Sequence, residues 1–93
     1  MKKKPVMVTT QHRGVFFGYQ RGPMKDNEVV LAEARNCLYW SADVRGFMGL
    51  AVTGPSRTCR VGPAVPSITL TGVTSLTEVS ADAEKRWNDA PWA

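Results

Sequence analysis

The sequence predicts an α+β protein that is mainly β: a small antiparallel barrel or curled sheet with a short central helix and a C-terminal helix. Three observations lead there. Residues 68–79, ITLTGVTSLTEV, set apolar positions between Thr and Ser positions, the pattern of a half-buried strand. Residues 80–91 open on Ser80, place Asp82 early and Lys85-Arg86 late, and end at Pro91. That is the order of a capped helix whose charges oppose its dipole. A chain of 93 residues is too short for a parallel sheet with crossover helices, but it accommodates five or six short antiparallel strands and one or two helices.

The elements follow in order. PVMVTT, residues 5–10, is β-branched and alternating, and reads as the first strand. GVFFGYQR, residues 14–21, is the second, with Val15, Phe17 and Tyr19 on one face and Phe16 on the other. Gly14 and Gly18 flank its aromatic centre, as where a strand bends or another backbone comes close. RGPMKDN, residues 21–27, is a turn cluster leading into EVVLAEARNCLYW. There a strand runs to about Glu33 and a second extended piece from Asn36 to Trp40, separated by the helix-favouring AEARN.

In SADVRGFMGLAVTGP, residues 41–55, Ser41 is the expected N-cap and Val44, Phe47, Met48 and Ala51 fall at helical spacing. Gly54-Pro55 stops that helix. Gly46 and Gly49 cost it about 1 kcal/mol each relative to alanine and give it a bare face for close packing. SRTCRVGPAVP, residues 56–66, reads as a loop. The parity of the apolar positions then changes at Gly72, which marks a bulge or a turn. In the last helix Ala83 and Trp87 lie one turn apart and form the apolar stripe, so Trp87 is its anchor, with Pro91-Trp92 folding back nearby.

The chain reads as one domain, residues 1–93, with residues 1–4 a basic, disordered N-terminus. Apolar residues make up 43% and charged residues 22%, the balance of a globular rather than a disordered chain. The net charge of +4 permits nucleic-acid, nucleotide or acidic-protein partners without choosing among them. No apolar run approaches the ~18 residues of a membrane span, so no membrane partner is expected and the cytoplasm is the expected compartment. Cys37 and Cys59 are too few for a disulfide framework and read as reduced thiols, bridged only if their strands meet. A domain this small buries somewhat over ~60% of its unfolded surface and gains from self-association. A homo-oligomer is therefore expected, with the aromatic strand and the glycine-spaced helix at the contact.

The candidate contact residues form three groups. Arg35 and Asn36 suit carboxylate, phosphate or base edges, and the adjacent Tyr39 and Trp40 offer flat stacking surfaces. Neighbours in a strand point to opposite faces, so one of those aromatics belongs at a surface. Arg57 and Arg60 sit in a Gly/Pro loop with Thr53, Ser56 and Thr58, the ingredients of an anion site, though without P-loop spacing. His12-Arg13 is the third group. A lone histidine forms no metal site, and as a general base it needs a nucleophile beside it. No catalytic constellation, metal site or cofactor is expected.

VTTQHRGVFFGY, ARNCLYWSADVRGFMGLAVTGP, CRVGPAVPSITLTGVTSLTEV and RWNDAPW, in that order and spacing, resemble a family of small proteins of unknown function encoded mainly by tailed phages and prophages. The resemblance brings no assigned site residues. It implies a phage-encoded protein of the host cytoplasm that binds something of the host's. The function expected is therefore non-enzymatic: inhibition of a host or defence factor, or sequestration of a small anionic ligand such as a nucleotide signal. The alternatives are a small-barrel protein that binds single-stranded nucleic acid and a structural or assembly protein of the virion.

Overall fold

The computed structural model describes residues 4–11, 14–40, 42 and 46–90, with the side chain of Phe47 left out. Among these residues, six strands and two helices follow in the order β1 (Lys4–Thr10), β2 (Val15–Lys25), β3 (Glu28–Tyr39), α1 (Gly46–Val52), β4 (Arg60–Val61), β5 (Val65–Leu70), β6 (Val73–Glu78) and α2 (Ala81–Asp89). The strands form one antiparallel sheet in the order β4-β3-β2-β1-β6, with β5 beside β4 on the same edge of β3. The tight corner at Thr71-Gly72 carries the chain from β5, on one edge, to β6, on the other. The sheet is thus curled but not closed. The α+β, mainly β architecture is the one expected.

The change of parity at Gly72 is this corner. Gly72 has φ +62°, a conformation that favours glycine. The corner is tied to its surroundings by Gln11 N–H to the Gly72 carbonyl and Val73 N–H to the Asn27 carbonyl. The turn cluster of residues 21–27 resolves differently from expectation. β2 runs on through Lys25, with an irregularity in its pairing with β3 at Gly22 (φ +76°), and Asp26 and Asn27, both at positive φ, make the turn. Pairing with β1 stops at Gln20, so Pro23, which has no N–H to give, is tolerated on the unpaired edge beyond it.

The expected break in the third strand is a β-bulge. Tyr19 pairs with Ala32 and Phe17 with Arg35, so Gly18 alone faces two residues, and Glu33 takes the left-handed conformation with φ +51°. A Cβ at position 18 would lie 2.8 Å from Leu31 Cβ, so the glycine is what lets the bulged strand approach. The bulge reverses the strand's parity: Val29, Leu31 and Ala34 line the inside of the curl, while Arg35 and Cys37 face the helices. The segment 56–66, read as a loop, contains β4, set by Cys37↔Val61 and Tyr39↔Arg60, and the first residues of β5. Two residues are too few to show alternation.

Both sheet faces are covered. Inside the curl, Val6, Val8, Val29, Leu31, Ala34 and Leu70 are buried, with Phe16, Ile68, Val73 and Leu76 half-covered beside them. On the other face Met7, Val15, Phe17, Tyr19, Cys37 and Val61 pack against Leu50 and Ala51 of α1 and Ala83 and Trp87 of α2. Trp87 is fully buried and stacked on Phe17, with ring centroids 5.3 Å apart and planes 6° from parallel. Its indole N–H donates to the Leu50 carbonyl at 3.1 Å. Ser80 caps α2 as expected, its Oγ accepting from Ala83 N–H at 3.1 Å while donating to the Val52 carbonyl at 2.6 Å. One hydroxyl therefore joins the two helices.

α1 departs most from expectation. Ser41, Asp43 and Val44 lie outside the described residues, as do Pro91 and Trp92. Of the expected stripe, Ala51 is buried but Met48 is exposed, and Leu50 takes the core position instead. Nothing approaches Gly46, whose part is a positive φ of +81° at the helix start. The close approach is made by Gly54, also at φ +81°: a Cβ there would meet Arg86 Cβ at 2.7 Å and the Ala83 carbonyl oxygen at 3.0 Å. That contact seats the segment after α1 directly on α2.

Candidate functional site

The structure separates the residues singled out from sequence. Arg35, expected at a ligand, is only 6% exposed. Its Nε donates to the Gly62 carbonyl at 2.8 Å and its Nη1 to the Trp87 carbonyl at 2.6 Å, tying β3, the β4–β5 connection and the end of α2 together. Burial lowers its pKa from the ordinary arginine value. The planar fork of donors that suggested a ligand contact serves the fold. Asn36 is half-buried opposite Phe16, and its carbonyl accepts Gly62 N–H at 2.8 Å. Of the two adjacent aromatics, Tyr39 is 53% exposed and Trp40 is half-buried against the helix-side core. Arg60 stands across from Tyr39 on β4 and is exposed. His12 and Arg13 lie outside the described residues.

The two cysteines remain thiols, although β3 and β4 do meet. Cys37 is buried, and desolvation, with Cys59 nearby, pushes its pKa up to about 11. It is protonated at neutral pH and no nucleophile. Cys59 is partly exposed, with its Sγ 3.6 Å from Ser56 Oγ. The Tyr19 hydroxyl donates to Glu84 Oε2 at 2.7 Å and accepts from Asn88 Nδ2 at 2.8 Å, which fixes α2 over β2. Desolvation raises the Tyr19 pKa, with the neighbouring Glu84 adding to the rise and Asn88 opposing it. Among the described residues no group of three His, Cys, Asp or Glu side chains could hold a metal ion.

The site that emerges lies on the outer side of α2. A groove of about 880 Å³ runs between this helix and residues 52–59, the segment that Gly54 holds in place. Val52, Pro55, Cys59 and Ala90 give it an apolar lining. Arg57, Lys85 and Arg86 supply positive charge, and Asp82 and Asp89 negative charge. Among the described residues, none of these five charged side chains takes part in an ion pair. Arg57 was expected here from its loop; Arg60 is not part of the lining. Lys85 and Arg86 were missed as site residues because their fit to the helix dipole already accounted for them. The signal was nevertheless present: Asp82, Lys85, Arg86 and Asp89 stand at i, i+3, i+4 and i+7, one face of a helix.

Fold and groove together define a small α+β protein whose curled sheet is helix-covered on one side and whose last helix carries a charged outer face. The chain belongs to the family described as domain of unknown function DUF6948, which matches residues 3–87. A search of curated proteins finds no match.

Proposed function

We propose that the protein acts by binding rather than catalysis, and that the groove between α2 and residues 52–59 holds an anionic group of its ligand or partner. The observation that carries this reading is the contrast between arginines. The buried Arg35 gives its Nε and Nη1 to two backbone carbonyls, whereas Arg57, Lys85 and Arg86 converge on one groove with no ion pair among the described residues. Unmatched cations on a shaped surface are free to meet carboxylate or phosphate.

The resemblance to small tailed-phage and prophage proteins supports the wider setting: a protein of the host cytoplasm that inhibits a host or defence factor or traps an anionic signal. Tyr39, exposed at the end of β3, is the side chain we assign to self-association. The test is an NMR titration of the ¹⁵N-labelled protein with inorganic pyrophosphate and, separately, with oligo-dT. The reading expects pyrophosphate to shift the amides of Arg57 and residues 85–89, and the shifts to weaken as salt is raised. Silence at millimolar pyrophosphate overturns it. Tight, salt-dependent oligo-dT binding centred on Tyr39 and Arg60 would replace it with single-strand recognition.

A further inference from the structure

We infer that the groove's occupant is an acidic, amphipathic segment of another protein; this rests on the reading above that the groove holds an anion. The first argument is the groove's apolar lip. Val52 lines the groove yet is 63% exposed, and Met48, one turn earlier on the same side of α1, is 66% exposed. These are the two most exposed large hydrophobic side chains among the described residues. Beside the half-buried Ala90 of the groove's lining, Val52 and Met48 thus form an exposed apolar strip at its edge. A bare phosphate would leave that strip in water, whereas a peptide with alternating side chains covers it.

The second argument is charge. The lining holds three cations and two carboxylates, so a small, multiply charged anion drawn to Arg57, Lys85 and Arg86 also meets repulsion from Asp82 and Asp89. A protein segment resolves this. Its Glu or Asp side chains meet the cations, while its backbone N–H groups or a hydroxyl donate to the two aspartates. The third argument is length. α2, with nine residues, is about 13 Å long. An extended segment of four or five residues spans that distance at ~3.3 Å per residue. The partner therefore presents a short run in which acidic and apolar side chains alternate, the carboxylates toward α2 and the apolar groups toward α1.

The experiment uses fluorescence anisotropy of a labelled synthetic peptide alternating Glu with Leu and Met. Its comparators are a Gln-for-Glu counterpart, a Ser-for-apolar counterpart, inorganic pyrophosphate as competitor, and vesicles containing anionic lipid. Expected is binding that falls about tenfold or more when either the carboxylates or the apolar side chains are removed. Met48→Gln in the full chain should weaken it by about fivefold, the worth of a partly buried methionine. Occupancy is read independently by maleimide labelling at neutral pH. Cys59 is the reactive thiol, since Cys37 is buried and protonated, and the peptide should protect it. If pyrophosphate or the Ser-for-apolar peptide protects Cys59 as well as the amphipathic peptide does, the ligand is a bare anion; the inference fails and the anion-binding reading stands. If vesicles bind and the peptides do not, the occupant is a lipid surface and the inference fails. If no probe protects Cys59 or binds, both readings fail.

Discussion

The two long faces of α2 meet different surroundings. Along the inner face Ala83 and Trp87 are fully buried, and the helix is fixed by bonds from elsewhere in the chain. Trp87 Nε1 reaches the Leu50 carbonyl, Arg35 reaches the Trp87 carbonyl, and Tyr19 bonds to Glu84 and Asn88. Along the outer face Asp82, Lys85, Arg86 and Asp89 line the groove, and none of them is in an ion pair among the described residues. Buried polar groups must be paired, because an orphaned one costs about 1–3 kcal/mol. Surface charges carry no such obligation. The inner face is thus spent on stability and the outer face is available to a partner. The same division separates Arg35 from Arg57, two arginines that look alike in sequence.

The comparison breaks most visibly at Trp87. Trp87→Ala removes the ring stacked on Phe17 and the hydrogen bond to Leu50, and should cost ~3–5 kcal/mol. For a domain of this size that lowers Tm by roughly 15 °C or more, as thermal denaturation would show. A Tm within a degree or two of wild type would mean that α2 is not anchored through its inner face.

Arg35→Ala sharpens the comparison between arginines. It leaves the Gly62 and Trp87 carbonyls without their donor, and an expected cost of about 2–4 kcal/mol follows in urea denaturation. Arg35→Lys should recover only part of it, since one ammonium does not reproduce a planar fork of donors. Arg57→Ala, by contrast, should stay within about 0.5 kcal/mol of wild type. Equal costs for Arg35→Ala and Arg57→Ala would erase the distinction.

Much of the inner face was legible in the sequence. The alternation of Val15, Phe17 and Tyr19, the cap at Ser80 and the one-turn spacing of Ala83 and Trp87 are local patterns, and local physics imposes them. What was not legible depends on partners far along the chain. The burial of Arg35 follows from a bulge at Glu33 that reverses which side of β3 faces the helices, and from carbonyls 27 and 52 residues away. β4 exists only because Cys37 and Tyr39 offer it an edge. In α1 the core position beside Ala51 went to Leu50 rather than Met48, because the helix is turned on the sheet by contacts that its own spacing does not encode. As for the groove, Arg57 was visible from its loop. The charged face of α2 was visible too, but its dipole-matched charges gave it a sufficient local explanation, and only the contact of Gly54 with Ala83 and Arg86 brings the two together.

The central claim, that the outer face of α2 carries function and not stability, is tested most directly by reversing its charge. The variant Arg57→Glu, Lys85→Glu, Arg86→Glu keeps the Arg86 Cβ that touches Gly54 and disturbs no buried group, so its unfolding free energy should stay within about 1 kcal/mol of wild type. Measured by calorimetric titration on that same folded protein, pyrophosphate binding should be lost. A variant that still binds pyrophosphate as wild type does, or that melts as low as Trp87→Ala, would contradict the account.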